Sequence, residues 1–378
     1  MDGRPEVTVI DGGLATELEA VGFNLQVTAT AIERSGKKLG GSVSVCGEKA
    51  ESERFRYRFW PTSVCIHCYQ KDDPLWSARI LQTNPQAIKT VHARYLSSGA
   101  DVITTATYQA TLAGFVKYLD LKSEEAAQLL QSGVYLAKEA VAEFLSESRN
   151  SERRKPLIAG SIGPYGVFLH DRSEYSGNYV DSMTKEELKA WHRPQMQSLI
   201  TAGVDLIAME TIPSQKEGEA LVELLREFPN AKAWLSFSAK DGKCISHGEN
   251  FDDAVKFPIK SDQLVAVGIN CCCPDIISPL LMSANKTRGT KIGWIVYPNS
   301  GETWNPNTHY ISSLEREPVN NQLAKFALEW KELGAKWIVK SDVSISQASG
   351  CSTWLTGIAP NFALPLWVTS GASTSMST

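Results

Sequence analysis

Three features are scarce in this sequence of 378 residues, and each scarcity excludes a class of protein. Eight cysteines are too few for a small scaffold held together by disulfides. No apolar run approaches the roughly 20 residues that a membrane-spanning helix needs. Neither sign of charge dominates, since 38 basic and 42 acidic residues give a formal net charge of −4. We therefore expect no nucleic-acid partner and no membrane partner.

The first residues also lack the apolar core of a secretory signal, because MDGRPEVTVIDGG leads directly into a predicted strand. This predicts a cytoplasmic protein, in which clustered cysteines indicate metal binding or catalysis before disulfides. Apolar residues make up 43% of the chain and charged residues 21%. These proportions are typical of a folded globular protein and exclude a disordered chain.

What the sequence does contain is an alternation of strand and helix patterns. Eight short apolar, β-branched runs are each followed by a polar or glycine-containing turn: Val7–Ile10, Asp101–Thr105, Pro156–Ala159, Asp205–Met209, Ala233–Phe237, Val265–Ile269, Gly293–Tyr297 and Lys336–Val339. The clearest helical patterns between them are Pro85–Ser97, Ser123–Phe144, Thr184–Ile200, Ser214–Phe228 and Asn321–Leu333. Eight such repeats predict an α/β fold, a closed (β/α)8 TIM barrel in a single domain over residues 7–340. A doubly wound open sheet is the alternative.

Two segments depart from this alternation. Residues 27–70 mix Ser, Gly and Lys without a sustained period, which predicts a disordered insert after the first strand. Residues 341–378 are rich in Ser, Thr and Gly where a barrel needs its closing helix, so we interpret them as a diverged tail. Because both segments begin abruptly, we hypothesise that they are translated non-coding sequence or the product of alternative splicing.

Polar residues cluster in the sequence where the predicted strands end. They are Asp11, Thr105, Glu210, Asn270, Cys271 and Asn299. In a TIM barrel the carboxyl ends of the strands form the catalytic face, so these side chains are expected around one pocket. Three consecutive cysteines, Cys271 to Cys273, occur at one of these ends, and thiolates are ligands that zinc prefers. The alternative is that these cysteines pack as small apolar residues.

The motifs at these strand ends resemble those of the homocysteine S-methyltransferases, a family that includes plant and fungal enzymes and is related to betaine–homocysteine methyltransferase. The resemblance rests on VIDGGLATELE, DPLWSARIL, ADVITTATYQAT, AGSIGPYG, AMETIPS, SFSAKDG, VGINC and IVYPNSGE, which follow in order over Val7–Gln26 and Lys71–Ile338. It implies methyl transfer from a sulfonium donor to the zinc-activated thiol of homocysteine, giving methionine. S-methylmethionine is the favoured donor, with S-adenosylmethionine as an alternative and betaine less favoured.

The resemblance also implies roles for single residues. Cys271 matches a zinc ligand, while Asp11 and Glu210 match positions that bind the amino group of homocysteine. Gly12 and Gly13 would let the backbone approach the substrate closely. The other expected pocket residues are Thr105, Tyr108, Asn270 and Asn299. No catalytic residue is expected beyond those that would hold the zinc, because the metal itself activates the substrate thiol.

The chain departs from the family at the last strand, where relatives supply two further zinc ligands from a Gly-Gly-Cys-Cys-Arg-Thr-Thr-Pro motif. Here the sequence after Ile338 reads VKSDVSISQASGCSTW, with Cys351 as its single cysteine. Strand alternation would place Cys273 on the same face as Cys271, which makes Cys273 a candidate second ligand. Cys351 is another candidate if the tail folds back over the pocket. Both are weaker candidates than Cys271, which alone matches the family motif. An impaired family member that retains at most amino-acid binding is therefore an alternative. A Schiff-base aldolase that uses Lys340 is a more distant one.

Overall fold

Eight parallel strands close into a barrel in the computed structural model of this chain, which describes residues 7–12, 14, 17–18, 73–147, 153–299, 303–305, 310–312 and 319–339. The barrel strands are β1 (Thr8–Ile10), β2 (Val102–Thr104), β3 (Leu157–Ile162), β4 (Leu206–Ile212), β5 (Ala233–Phe237), β6 (Leu264–Asn270), β7 (Gly293–Tyr297) and β10 (Ala335–Val339). A two-stranded antiparallel hairpin, β8 (Thr303–Asn305) and β9 (Tyr310–Ser312), follows β7.

The barrel closes between its first and last strands. Ile10 of β1 pairs with Val102 on one side and with Val339 of β10 on the other. The remaining neighbours follow the order of the chain from β2 to β7, and β7 pairs with β10. The predicted single-domain TIM barrel is confirmed, and the open-sheet alternative is wrong.

Helices surround the barrel. They are α1 (Ile80–Thr83), α2 (Pro85–Ser97), α3 (Leu112–Leu119), α4 (Ser123–Ser146), α5 (Tyr165–Leu169), α6 (Lys185–Thr201), α7 (Gln215–Leu225), α8 (Phe251–Val255), α9 (Ile277–Arg288) and α10 (Val319–Glu332). Local signals set their beginnings. Thr184 and Glu187 form a capping box at the start of α6, and the Asn84 side chain caps α2, which begins at Pro85. Within the described ranges, no helix has the length and apolar content needed to cross a membrane.

Two apolar clusters hold the layers together. The larger lies between the strands and the helices and includes Leu199, Phe237 and Trp294. The smaller is built from interior residues of the barrel strands, among them Ala159, Ala208 and Trp234. Because side chains alternate along a strand, residues two positions beyond these interior ones also point into the barrel. This alternation brings polar side chains to the carboxyl-terminal mouth of the barrel.

β3 and β4 extend past their predicted ends because they continue through polar residues, Ser161 in β3 and Glu210 and Thr211 in β4. β3 continues to Ile162 and β4 to Ile212, whereas the apolar runs suggested ends at Ala159 and Met209. The predicted insert and the diverged tail lie outside the described residues, so the proposed domain limits stay predictions.

Candidate active site

The predicted polar residues do meet at the carboxyl-terminal ends of the strands. Asp11 directly follows β1, Glu210 lies in β4, and Asn270 is the last residue of β6. Glu210 and Asn270 have the same alternation as the interior residues Ala208 and Ala266, which explains why both point toward the barrel mouth. The prediction that the strand ends supply one shared site is consistent with this arrangement.

Two carboxylates form one side of the site. Asp11 is buried and accepts hydrogen bonds from the Thr104 backbone N–H at 2.8 Å and from the Thr104 hydroxyl at 2.9 Å. Glu210 accepts a hydrogen bond from the buried Ser161 hydroxyl. Burial raises the pKa of Asp11 well above its usual value, the Thr104 hydrogen bonds oppose this, and the negative charge of Glu210 adds to it. A cation bound between the two acids would offset both the cost of burying the Asp11 carboxylate and its repulsion by Glu210.

A bulge in β4 helps to direct these groups. The register with β5 shifts between Met209 and Ile212, and Thr211 has the left-handed φ of 61°, which is unusual for a β-branched residue. Asn270 stabilises this backbone conformation, because its side-chain oxygen accepts a hydrogen bond from the Thr211 backbone N–H at 2.8 Å. Bulges of this kind re-aim side chains beside active sites, and here the bulge begins at Glu210.

The thiol of Cys271 lies beside this bulge. The Asn270 amide donates hydrogen bonds to the Thr211 hydroxyl oxygen at 2.7 Å and to Cys271 Sγ at 3.2 Å. The Thr211 hydroxyl in turn lies 3.5 Å from the same sulfur. Cys271 also has a left-handed φ, 49°, so the chain turns sharply as soon as β6 ends. The three residues together hold one partly exposed sulfur at the barrel mouth.

Tyr297, at the end of β7, connects the acidic side of the site with the thiol side. Its hydroxyl accepts a hydrogen bond from Trp234 Nε1 at 3.1 Å and also hydrogen-bonds the Ser236 hydroxyl. Burial raises the pKa of Tyr297 well above its usual value, and the charges of Glu210 and Cys271 raise it further. Tyr297 does not stand out in the sequence because it ends an apolar run, although its place at a strand end was the available signal.

The two cysteines after Cys271 have different surroundings. Cys272 is buried in the apolar layer between strands and helices. Cys273 is exposed, and its thiol lies 3.5 Å from an Asp275 carboxylate oxygen. Because β6 ends at Asn270, strand alternation does not fix which way Cys273 points, and its role as a ligand stays a prediction.

The other predicted pocket residues differ in their surroundings. Thr105 is buried and bonds to Thr107 and to the Ser161 backbone, so it joins β2 to β3. Tyr108 is partly exposed, and its pKa is raised well above the usual value by burial and by the nearby acidic groups Tyr175, Cys271 and Glu174. Gly12 and Asn299 are also partly exposed. Gly13, Lys340 and Cys351 lie outside the described residues.

Comparisons with known proteins agree with this arrangement. The family model described as homocysteine S-methyltransferase matches residues 8–351. The chain is 42% identical to a betaine-homocysteine S-methyltransferase of Drosophila melanogaster, covering 70% of this chain and 81% of the relative. It is 40% identical to homocysteine S-methyltransferase 1 of Arabidopsis thaliana, covering 83% and 93%.

The chain belongs to the homocysteine S-methyltransferase family. It is accordingly a methyltransferase by family, and the aldolase alternative is wrong. A solved structure of the family, the homocysteine methyltransferase MmuM from Escherichia coli in its metallated form, matches with a TM-score of 0.69 and 31% identity. The match covers 92% of this chain and 97% of that one.

The metal that this family suggests can be tested against the side chains present. Among the described residues, no group of three or more His, Cys, Asp or Glu side chains is placed to hold a metal ion. Cys271 contributes one sulfur, whereas Cys272 lies in the apolar core and Cys273 is exposed. The described part of this family member therefore does not complete a three-cysteine zinc site.

Proposed function

We propose that this chain transfers a methyl group from a sulfonium donor, with S-methylmethionine favoured, to the sulfur of homocysteine, and that the product is methionine. The observation that supports this most directly is that buried Asp11 and partly buried Glu210 end strands at the same barrel mouth as the Cys271 thiol, which the Asn270 amide holds at 3.2 Å. Homocysteine carries an ammonium at one end and a sulfur at the other, so it matches both sides of the site.

In this proposal Asp11 and Glu210 bind the homocysteine ammonium. A desolvated ammonium needs carboxylate partners, and the two acids repel each other less once a cation lies between them. Thr104 and Ser161 hold the carboxylates in place through their hydrogen bonds. With the ammonium fixed at the acids, the thiol end of the substrate is directed toward the Cys271 side of the barrel mouth.

The transfer itself is an in-line displacement. The homocysteine thiol first loses its proton to solvent, and its sulfur then forms a bond to the methyl carbon while the bond from that carbon to the sulfonium sulfur breaks. The leaving group takes the bonding electron pair and becomes a neutral thioether, so it needs no acid. The site contributes by holding the two sulfur centres together and in line, which replaces a bimolecular encounter.

Zinc is the cofactor that we propose on the basis of the family, and when bound it would hold the homocysteine sulfur as a thiolate. Cys271 is the residue of the described chain that would contact it, with Cys273 and Cys351 as weaker predicted ligands. Since one sulfur does not make the site, no step of the reaction is assigned to the metal.

A second candidate function is amino-acid binding without turnover. It is favoured by the sequence after Ile338, which lacks the adjacent cysteine pair of the family. The acids and Tyr297 would still bind homocysteine in such a protein, whereas the thiol would stay largely protonated at neutral pH, given an ordinary pKa near ~8.5.

The two candidates can be separated with purified protein. We would measure bound zinc and homocysteine binding, and methionine formation from homocysteine with S-methylmethionine, S-adenosylmethionine or betaine. Cys271→Ala is the test variant, and Cys244→Ala, which removes a thiol in the loop after β5, is the matched control. Methionine formation that is lost in Cys271→Ala and kept in the control supports the transferase. Homocysteine binding without product from any donor supports the second candidate.

A further inference from the structure

Thr107 is a fully buried residue just beyond β2, and its hydroxyl bonds to the neighbouring strand β3. None of its surface is exposed, so it cannot contact a substrate directly. Its hydroxyl donates a hydrogen bond to the Ser161 backbone C=O at 2.8 Å. Any influence of Thr107 on the site must therefore pass through Ser161.

The neighbouring strand β2 ends before β3 reaches Ser161. The Ala159 C=O accepts a hydrogen bond from the Thr105 N–H at 2.9 Å, so Ala159 and, two positions later, Ser161 turn their backbone groups toward β2. Beyond this point the Thr107 N–H donates to the Thr105 C=O at 2.8 Å, and the chain turns away from the sheet. Because Ser161 is buried, its N–H and C=O need partners in place of the strand that has ended.

Two threonine side chains supply these partners. The Thr105 hydroxyl oxygen accepts a hydrogen bond from the Ser161 N–H at 3.1 Å, while the Thr107 hydroxyl donates to the Ser161 C=O. The two threonine hydroxyl oxygens lie 2.6 Å apart. Since a carbonyl can only accept, the single Thr107 hydroxyl proton points to Ser161, and Thr105 therefore donates to Thr107. Both threonine protons are used in this circuit, and the Ser161 hydroxyl proton is left to donate elsewhere.

The Ser161 hydroxyl donates its proton to Glu210. The Ser161 side chain points into the barrel, because it follows the interior residue Ala159 by two positions, and its hydroxyl hydrogen-bonds Glu210 Oε1. The direction of this hydroxyl depends on the Ser161 backbone, which the threonine circuit holds at both its N–H and its C=O. The position of one Glu210 carboxylate oxygen is thus linked to Thr107.

Two helices hold Thr107 in turn. The Gln195 side-chain amide of α6 donates a hydrogen bond to the Thr107 C=O at 2.9 Å. α4 approaches through Gly133, where a Cβ would come within 3.0 Å of the Thr107 methyl carbon. The methyl of Thr107 therefore lies against α4 and its hydroxyl against β3, which fixes the rotamer of this β-branched side chain. The circuit is accordingly preorganised before any ligand binds.

We propose that Thr107 is a positioning residue of the homocysteine site, which acts through Ser161 to hold the Glu210 carboxylate where it receives the substrate ammonium. This proposal rests on the proposed function, in which Glu210 is one of the two ammonium partners. A carboxylate that is free to rotate binds a cation more weakly than a fixed one, because part of the binding free energy is then spent on ordering it.

The proposal limits the effect of Thr107 to one part of the substrate. Loss of its hydroxyl should weaken recognition of the ammonium, which Glu210 contacts, and should leave recognition of the sulfur and of the carbon chain largely unchanged. A residue that only stabilises the fold would instead weaken the binding of every ligand of the site alike. The two roles can therefore be told apart by comparing ligands.

The test uses one ligand with the ammonium and one without it. Dissociation constants of the full chain for homocysteine and for 4-mercaptobutanoate, which lacks only the amino group, are measured by calorimetry. Thr107→Val removes the hydroxyl and keeps the shape, Thr107→Ser keeps the hydroxyl, and Glu210→Gln removes the charge that Thr107 is proposed to position. The matched control is Ser198→Ala, which removes another buried hydroxyl that donates to a backbone C=O, that of Pro194 at 2.8 Å. Thermal unfolding shows whether each variant is folded.

We expect Thr107→Val to weaken homocysteine binding about tenfold, or about 1.4 kcal/mol, and 4-mercaptobutanoate binding less than about twofold. Thr107→Ser and Ser198→Ala should bind homocysteine within about twofold of the wild-type chain. In a chain that already carries Glu210→Gln, Thr107→Val should weaken homocysteine binding less than about twofold, because its route to the ammonium is already lost.

Equal losses for both ligands, or a Thr107→Val effect of the same size with and without the Glu210 carboxylate, would overturn the proposal. A wild-type chain that binds homocysteine no more tightly than 4-mercaptobutanoate would overturn it as well. If Thr107→Val does not fold, Thr105→Val removes the partner of the Ser161 N–H and must meet the same expectations. These results do not depend on turnover, whereas the proposed function fails if no donor yields methionine.

Discussion

At the scale of single residues, the site is a set of polar side chains that strand geometry places at one level of the barrel. Asp11, Glu210 and Asn270 were predictable because each ends an apolar run. Tyr297 and Thr211 were not, because an aromatic residue continues an apolar pattern and a bulge leaves no mark in the sequence.

Glu210→Ala should weaken homocysteine binding, because it leaves a buried ammonium with one acid instead of two. Removing one partner of a buried ion pair typically costs roughly 3–5 kcal/mol. Steady-state kinetics should show a large rise in the KM for homocysteine and little change in the KM for the methyl donor. A homocysteine KM within a few-fold of wild type would contradict the assigned role.

His92→Leu should flatten the pH dependence of stability. His92 is fully buried on α2 and has no hydrogen-bond partner among the described residues, and burial lowers its pKa from 6.5 to about 4. The unfolded chain therefore binds a proton in this range before the folded chain does, and stability falls as the pH drops from 6.5 toward 4. Urea unfolding at pH 7 and pH 4.5 should show a decrease smaller by about 2–3 kcal/mol in the variant. Equal decreases in both proteins would refute this.

At the scale of elements, the β3–α6 connection (residues 163–184) is held mainly by α7. The single carboxylate of Glu217 joins the start of α5, the Tyr179 turn and α6. Apolar periodicity predicted α7 itself, since Ser214 caps it and its apolar face packs on the barrel. Periodicity could not reveal that a buried acid on that helix positions a distant loop.

Glu217→Gln should loosen this connection. An amide of the same size cannot accept from the Tyr165 N–H, the Tyr179 hydroxyl and His192 as a carboxylate does, and a lost buried hydrogen bond to a charged group costs about 1–3 kcal/mol. We expect a lower unfolding midpoint in urea than that of the wild-type chain. An unchanged midpoint would contradict this role of Glu217.

At the scale of the whole molecule, the alternation of eight runs was enough to predict the barrel. The metal site could not be settled in the same way, because the sequence after Ile338 differs from that of relatives just where two ligands are expected. The alternation of side chains cannot decide the orientation of Cys273 either, since β6 ends at Asn270.

Restoring the family's sequence after Ile338 should restore zinc binding. The unmodified chain should carry much less than one zinc per molecule, because each missing thiolate removes a metal–sulfur bond. Replacing the residues after Ile338 with Gly-Gly-Cys-Cys-Arg-Thr-Thr-Pro and a closing helix, and deleting Val27–Gln70, should raise zinc to about one per chain. Metal analysis and methionine formation would measure this. Full zinc occupancy in the unmodified chain would show that the tail supplies ligands.

The pairing of β1 with β10 has a consequence for how the protein is made. The ribosome releases β1 first and β10 last, so one edge of the growing sheet stays unpaired during nearly all of synthesis. Exposed parallel edges are prone to pair with other chains, and non-local closure is slow. Nascent chains of this protein should therefore depend on protection from aggregation until Val339 has emerged, and a chain that stops earlier would keep two open edges permanently.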